Sequence, residues 1–188
     1  YFQSSVSWSK ISSGAPAFRL FPQGFVFDVA GTSIFVNPDH LAKIAAIMNS
    51  STIYALLTAI APTLNFEVGQ IAALPILQIG KAADENAETL RDISKADWDC
   101  DERSWNFKSC MLLDSDLDSP KLSQHLIRII TQLDAQSEAQ REREIRNNEI
   151  VAEAYGVRDV IDCDVPLERV SLKRNKAFAY PKASPEER

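Results

Sequence analysis

The sequence predicts an α+β fold: a small β-rich N-terminal unit packed with two helices, followed by a mainly helical extension with one long helix. Three observations carry this prediction. Short alternating apolar runs, punctuated by Gly and Pro, fill the first 36 residues. Apolar spacing of helical period begins at Pro38. The charge then changes character near Gly80. Residues 1–80 hold only Lys10, Arg19 and Lys43 against Asp28, Asp39 and Glu67, so the net charge of −6 lies wholly in residues 81–188. The expected division is therefore 1–5, 6–80, 81–172 and a tail at 173–188. Tyr1-Phe2-Gln3-Ser4 looks like the remnant of a cleavable expression tag, and the chain is expected to be a piece of a longer protein.

Within the first unit, Val6 to Ser13 reads as a strand with Trp8 and Ile11 apolar and Ser12-Ser13-Gly14 as its turn. Phe18 and Leu20, then Pro22-Gln23-Gly24, then alternating Phe25, Phe27 and Val29 read as a hairpin. Thr32 to Val36 gives a further strand. Pro38-Asp39 opens a helix with Leu41, Ile44, Ala45 and Met48 as its buried stripe. Ser51 is placed to N-cap a second helix, whose apolar face is Ile53, Leu56, Leu57 and Ile60. Pro62 ends that helix, because proline donates no N–H and disfavours helix in the residue before it. Leu64, Phe66 and Val68 then alternate with Asn65 and Glu67 like a half-buried strand, and Leu74-Pro75-Ile76 closes the unit.

The extension is rich in helix formers. Lys81 to Asp97 carries Leu90 and Ile93 as sparse anchors, and Trp98 and Trp105 are expected to be buried at the junction of the regions. Asp114, Asp116 and Asp118 lack the glycine and glutamate of a calcium loop and read as a solvated linker. Ser119-Pro120 starts a long helix with Leu122, Leu126, Ile129, Ile130 and Leu133 on one face. From Asp134 to Asn148 the Arg/Glu alternation marks a solvated face or a spacer against another protein surface. Asn147-Asn148 is expected to bend the helix and Gly156 to stop it, leaving the residues after Lys173 as a frayed end.

Composition excludes several classes. Apolar residues at 45% support a true core, and no run approaches the roughly 20 apolar residues of a membrane span. Cys100, Cys110 and Cys163 show no paired-ligand spacing, so neither a zinc site with His40 or His125 nor a disulfide framework is expected, and reduced cytoplasmic thiols are. The acidic balance argues against a general polyanion binder. No Gly-rich phosphate loop, Gly-x-Ser-x-Gly or paired histidines occur in the sequence.

Several stretches, in order along nearly the whole chain, carry a resemblance. They are Trp8-Ser9-Lys10-Ile11-Ser12-Ser13-Gly14, Gly24-Phe25-Val26-Phe27-Asp28, Pro62 to Ile71 with Leu74-Pro75-Ile76, Trp98 to Lys108, Asn148-Glu149-Ile150 and Ala154-Tyr155-Gly156. Together they resemble the C-terminal part of the BREX phage-exclusion adenine methyltransferases (the PglX family). More loosely, the early strands, the Asn-Ser helix and the Leu-Pro-Ile return are similar to target recognition domains of restriction–modification enzymes. The resemblance implies a parent enzyme that methylates adenine N6 with S-adenosylmethionine. That family's Asn/Asp-Pro-Pro-Tyr and its cofactor glycine motif are absent from this sequence. The fragment itself is therefore expected to bind no cofactor and to catalyse nothing. What the resemblance leaves it is target reading on double-stranded DNA, with the methyltransferase domain and other phage-defence proteins as partners. The contact candidates come from residue chemistry alone: Lys10, Ser12, Ser13 and Arg19 on the N-terminal turns, and Lys43 for phosphate. The alternative reading is an interaction or spacer module without direct DNA contact.

Overall fold

The computed structural model describes residues 2–113 and 122–183. The chain forms two compact units, Tyr1–Arg91 with Ile145–Asp164, and Asp92–Glu144 with Val165–Arg188. The architecture is the expected α+β, with a three-stranded antiparallel sheet near the N-terminus and one long helix.

In the first unit the strands are β1 (Ser5–Ser9), β2 (Arg19–Phe21) and β3 (Gly31–Ile34), ordered β2-β1-β3. Val6 faces Leu20 on one side and Ile34 on the other, which puts Val6 and Trp8 into the core and Ser7 on the opposite face. The hairpin expected over 18–29 does not form. Gly24 turns the chain with φ +103°, but residues 25–30 then run back along the sheet instead of pairing with β2. The reason is register: β2 ends opposite Ser5, whereas β3 starts opposite Ser9. The crossing segment is held by aromatic pairs, Phe25 on Phe21 and Phe27 on Phe35, each with centroids 5.1 Å apart.

Helix α1 (Pro38–Met48) starts with Asn37 accepting from the Asp39 N–H, and proline occupies its first turn. Its buried residues are Leu41 and Ala45 to Met48, with Ile44 only partly covered. Helix α2 (Ser51–Ile60) is capped by Ser50, not Ser51; the Ser50 hydroxyl accepts from Ile53 N–H at 3.2 Å and donates to the Ile47 carbonyl at 2.7 Å. Ile53 and Leu57 are fully buried, but Leu56 and Ile60 face outward, so the buried face is narrower than the spacing implied. The strand expected over 64–68 shrinks to one bridge, Asn65 to Ile11. Phe66 points into the core as expected, but Leu64 and Val68 are exposed. A short helix α3 (Val68–Ala72) begins there instead, because Gln70 folds back to accept from Glu67 N–H at 2.8 Å in a capping box.

Helix α4 (Lys81–Asp99) enters the core of the first unit through Ala83 and Ala87, while Leu90 stays half-buried. Helix α5 (Leu122–Ala154) contributes Val151 and Ile150 to that core. It runs as one continuous helix through Asn147-Asn148. Both amides are buried and act as anchors. Asn147 Nδ2 donates to the Ala46 carbonyl at 2.8 Å. Asn148 accepts from Ser51 N–H at 2.9 Å, satisfying a first-turn donor of α2, and donates to the Cys163 carbonyl at 3.2 Å. The Tyr155 hydroxyl donates to the Pro75 carbonyl and accepts from Leu77 N–H, and burial pushes its pKa up. Gly156, at φ +67°, ends the helix as expected. Gly156 N–H bonds the Glu153 carbonyl and Val157 N–H the Ala152 carbonyl, a Schellman motif.

In the second unit, Trp98 and Trp105 are exposed rather than buried, Trp105 at 92%. In the turn between them Asp99 accepts from Ser104 and Asn106, and buried Asp101 accepts from Arg103 and pairs with Lys173. Hydrogen bonds from Lys95 and Ser104 hold the Asp99 carboxyl below its usual range. On α5, only Ile129 of the expected apolar face is buried, and Leu122, Leu126 and Ile130 are exposed. Ser119, Pro120 and the Asp114–Asp118 run lie outside the described residues.

The segment after Lys173, expected to fray, is tied down as far as it is described. Buried Asp97 accepts from the Lys173 and Arg174 N–H groups, and the Arg174 guanidinium donates to the Asp97 and Cys100 carbonyls at the end of α4. Asn175 then caps α6 (Lys176–Ala179) and donates to the Leu167 and Val170 carbonyls.

Candidate nucleic-acid interface

Four of the five candidate contacts flank one connection, the chain leaving β1 and entering β2. The main chain of Lys10 is fixed from both sides: its N–H donates to the Ala30 carbonyl at 2.9 Å, and its carbonyl accepts from Phe66 N–H at 2.7 Å. Ser12 N–H donates to the Leu64 carbonyl at 3.0 Å. Trp8 Nε1 donates to the Phe66 carbonyl at 3.0 Å, so the same segment is also anchored from the core. A strand end held from both sides thus carries an exposed turn, in which the Ser12 hydroxyl accepts from Gly14 N–H at 3.3 Å and Ser13 is exposed. Rigid placement of short polar side chains is what hydrogen-bond readout of a base edge requires.

Arg19 is exposed at the start of β2, an edge strand, directly across from Ser7. Lys10 is not a free cation: its Nζ pairs with Glu67 at 3.0 Å. The pair borders a shallow cavity of about 310 Å³ that Phe27, Asp28, Thr32 and Phe66 also line. Asp28 is turned to the backbone, accepting from Ala30 and Gly31 N–H at 2.9 Å each. Lys43 belongs to α1 and lies off the connection; its Nζ reaches Gln78 Oε1 at 3.5 Å.

Sequence reasoning missed the anchoring roles of Asn147, Asn148 and Tyr155 in the first unit, and of Arg174 within the second. A signal existed for the first two. Adjacent asparagines in a helix interior cost propensity, and a buried role offsets that cost. Among the described residues no group of His, Cys, Asp and Glu could hold a metal ion, and no single helix is long and apolar enough to cross a membrane.

The side chains that the fold presents here are the hydroxyls of Ser12 and Ser13 on a turn, with Lys10 at the end of β1, Arg19 on β2 and Lys43 on α1. The fold that presents them is an α+β module. No family model matches the chain. It is 33% identical over 196 residues to the adenine-specific methyltransferase PglX of Lacticaseibacillus casei (strain Zhang), covering 94% of this chain. It is 30% identical over 194 residues to the adenine-specific methyltransferase BrxX of Escherichia coli O9:H4 (strain HS), covering 96%. The chain spans only 16% and 15% of those relatives' lengths. It is homologous to a segment of the PglX and BrxX adenine-specific methyltransferases, the resemblance that the motifs carried.

Proposed function

We propose that this chain is the DNA target-reading segment of a BREX-type N6-adenine methyltransferase, acting in the cytoplasm in phage defence. One observation carries the reading: nearly all of this chain matches a small part of much longer adenine-specific methyltransferases, while its sequence holds none of the motifs that methylation needs. Methyl transfer requires a residue set to hold S-adenosylmethionine and to receive an extruded adenine. The described residues offer no glycine-rich loop for the former.

In this reading the connection between β1 and β2 meets the duplex. Ser12 and Ser13 hydrogen-bond base edges, Arg19 and Lys43 contact phosphate, and Lys10 joins them when its pair with Glu67 opens. Three cations give a weak electrostatic footprint, so most of the affinity of a complete enzyme arises outside these residues. The interaction-module alternative draws its support from the net charge of −6 and the charged stretch of α5.

The experiment is a domain exchange. Residues 6–80 are swapped between two relatives that methylate different sites, and the modified sequence is read by methylation-sensitive sequencing. The specificity should travel with the swapped segment. Retention of the recipient's own site would overturn the reading.

A further inference from the structure

Two residues before the Ser12-Ser13 turn, Lys10 enters the wall of the cavity of about 310 Å³, a volume within the range of small-molecule sites. Phe27, Phe66 and Val68 give that cavity apolar surface, and Lys10, Asp28, Glu67 and Thr32 give it polar groups. Thr32 pairs with Trp8 across the sheet, which puts both side chains on the core face. Its Oγ1 is buried and has no hydrogen-bond partner among the described residues. A covered hydroxyl without a partner costs stability that a bound ligand restores. Because it holds no bond, a turn about χ1 toward the cavity breaks none.

The charges select the ligand. One ammonium group against two carboxylates leaves the lining with one negative charge, which repels a phosphate, while Lys10 itself repels a cation. A neutral molecule is what remains. Lys10 Nζ and Glu67 Oε1 stand 3.0 Å apart, a donor beside an acceptor, and their side chains are 29% and 51% exposed, so a ligand can reach both. An ammonium group carries three donor protons and a carboxylate about four acceptor sites, so the pair serves a ligand without opening. A flat ring with an acceptor next to a donor on one edge complements it, and Phe27 and Phe66 offer apolar surface to the ring.

We propose that this cavity holds one unstacked nucleobase of the thymine type, whose O4 accepts from Lys10 and whose N3–H donates to Glu67. The inference rests on the target-reading proposal above: extruding an adenine for methylation leaves its thymine unpaired, and this cavity lodges that base.

The test uses the full chain and three duplexes of the parent enzyme's site. The target pair is adenine opposite thymine, an abasic nucleotide opposite thymine, or abasic on both strands. Thymine freed of its partner should tighten binding about fivefold over the paired duplex, the worth of one hydrogen bond, and the doubly abasic duplex should lose that gain. Thr32→Val removes only the unpaired hydroxyl, and Val68→Trp fills the cavity from an exposed position. Each should cut the gain to about twofold or less, with Thr32→Val melting no lower than wild type. A gain that survives both variants, or is equal for the two abasic duplexes, overturns the proposal. Thymidine titrated into the chain, followed by amide shifts at Thr32 and Phe66, separates the sources. Shifts there without a duplex gain assign the cavity to a free nucleoside and overturn the DNA base. Absence of all DNA binding sinks the target-reading proposal but still leaves the thymidine shifts to be read. Neither shifts nor gain overturns the cavity as a nucleobase site.

Discussion

Replacing Asn148 by alanine should unfasten α5 from the N-terminus of α2. The wild-type amide makes two hydrogen bonds in a 6%-exposed position, accepting from Ser51 N–H and donating to the Cys163 carbonyl. Losing each bond costs about 1 kcal/mol net, and stranding a covered donor and acceptor adds about 1 kcal/mol or more. Alanine returns roughly 0.6 kcal/mol through its better helix propensity. The expected loss is therefore about 2.5 kcal/mol. Asn147 provides an internal control, since its side chain makes one hydrogen bond, to the Ala46 carbonyl, and its Oδ1 has no partner. Asn147→Ala should cost only about 1 kcal/mol on the same reasoning. Urea denaturation followed by far-UV circular dichroism gives both values, and amide exchange at Ser51 reports the stranded donor directly. A cost for Asn148→Ala below about 0.5 kcal/mol, or one smaller than that of Asn147→Ala, would refute the assignment of Asn148 as the anchor.

Three further outcomes are expected. Gly156→Ala should destabilise by about 1 kcal/mol in thermal melts, because φ +67° strains an L-residue even though nothing crowds the added Cβ. Burial, only partly opposed by Gln140 and Arg169, raises the Glu144 carboxyl above its ordinary range. The folded state then holds that proton more tightly than the unfolded chain, so this group's contribution falls as pH rises from about 4.5 through its raised value. Glu144→Gln should remove that decline and stabilise the protein at neutral pH; identical stability–pH curves for both proteins would contradict the assignment. Glu67→Gln keeps an oxygen for the capping box but releases Lys10. DNA affinity at low salt should rise a few-fold and the salt slope should steepen by about one unit, and an unchanged slope would remove Lys10 from the interface.

Local rules wrote much of this fold into the sequence. Helix α1, the proline break after α2 and the Schellman stop at Gly156 depend on nearest neighbours, and each stands where propensity and capping put it. The failures are non-local. Phe25, Phe27 and Val29 alternate like a strand, but pairing depends on which edge is vacant, and β3 takes the place beside β1. Leu64, Phe66 and Val68 alternate too, yet Trp8 and Lys10 fix Phe66 inward through its backbone and the outer two residues remain exposed. Asn147, Asn148 and Arg174 act across 101, 97 and 77 residues of sequence, beyond the reach of periodicity. The candidate contacts were legible as residue types on turns. Their grouping at one connection required the sheet, as did the Glu67 partner that restrains Lys10.

The most direct measurement is the affinity of this chain for duplex DNA bearing the parent enzyme's methylation site, titrated against salt and compared with a scrambled duplex. Target reading predicts tighter binding to the site and a linear decline of log K with log salt, with a slope near −0.9 for each phosphate neutralised. Arg19→Ala should make that slope shallower by about one unit. Equal affinity for both duplexes, or no salt-dependent binding at all, would contradict the account.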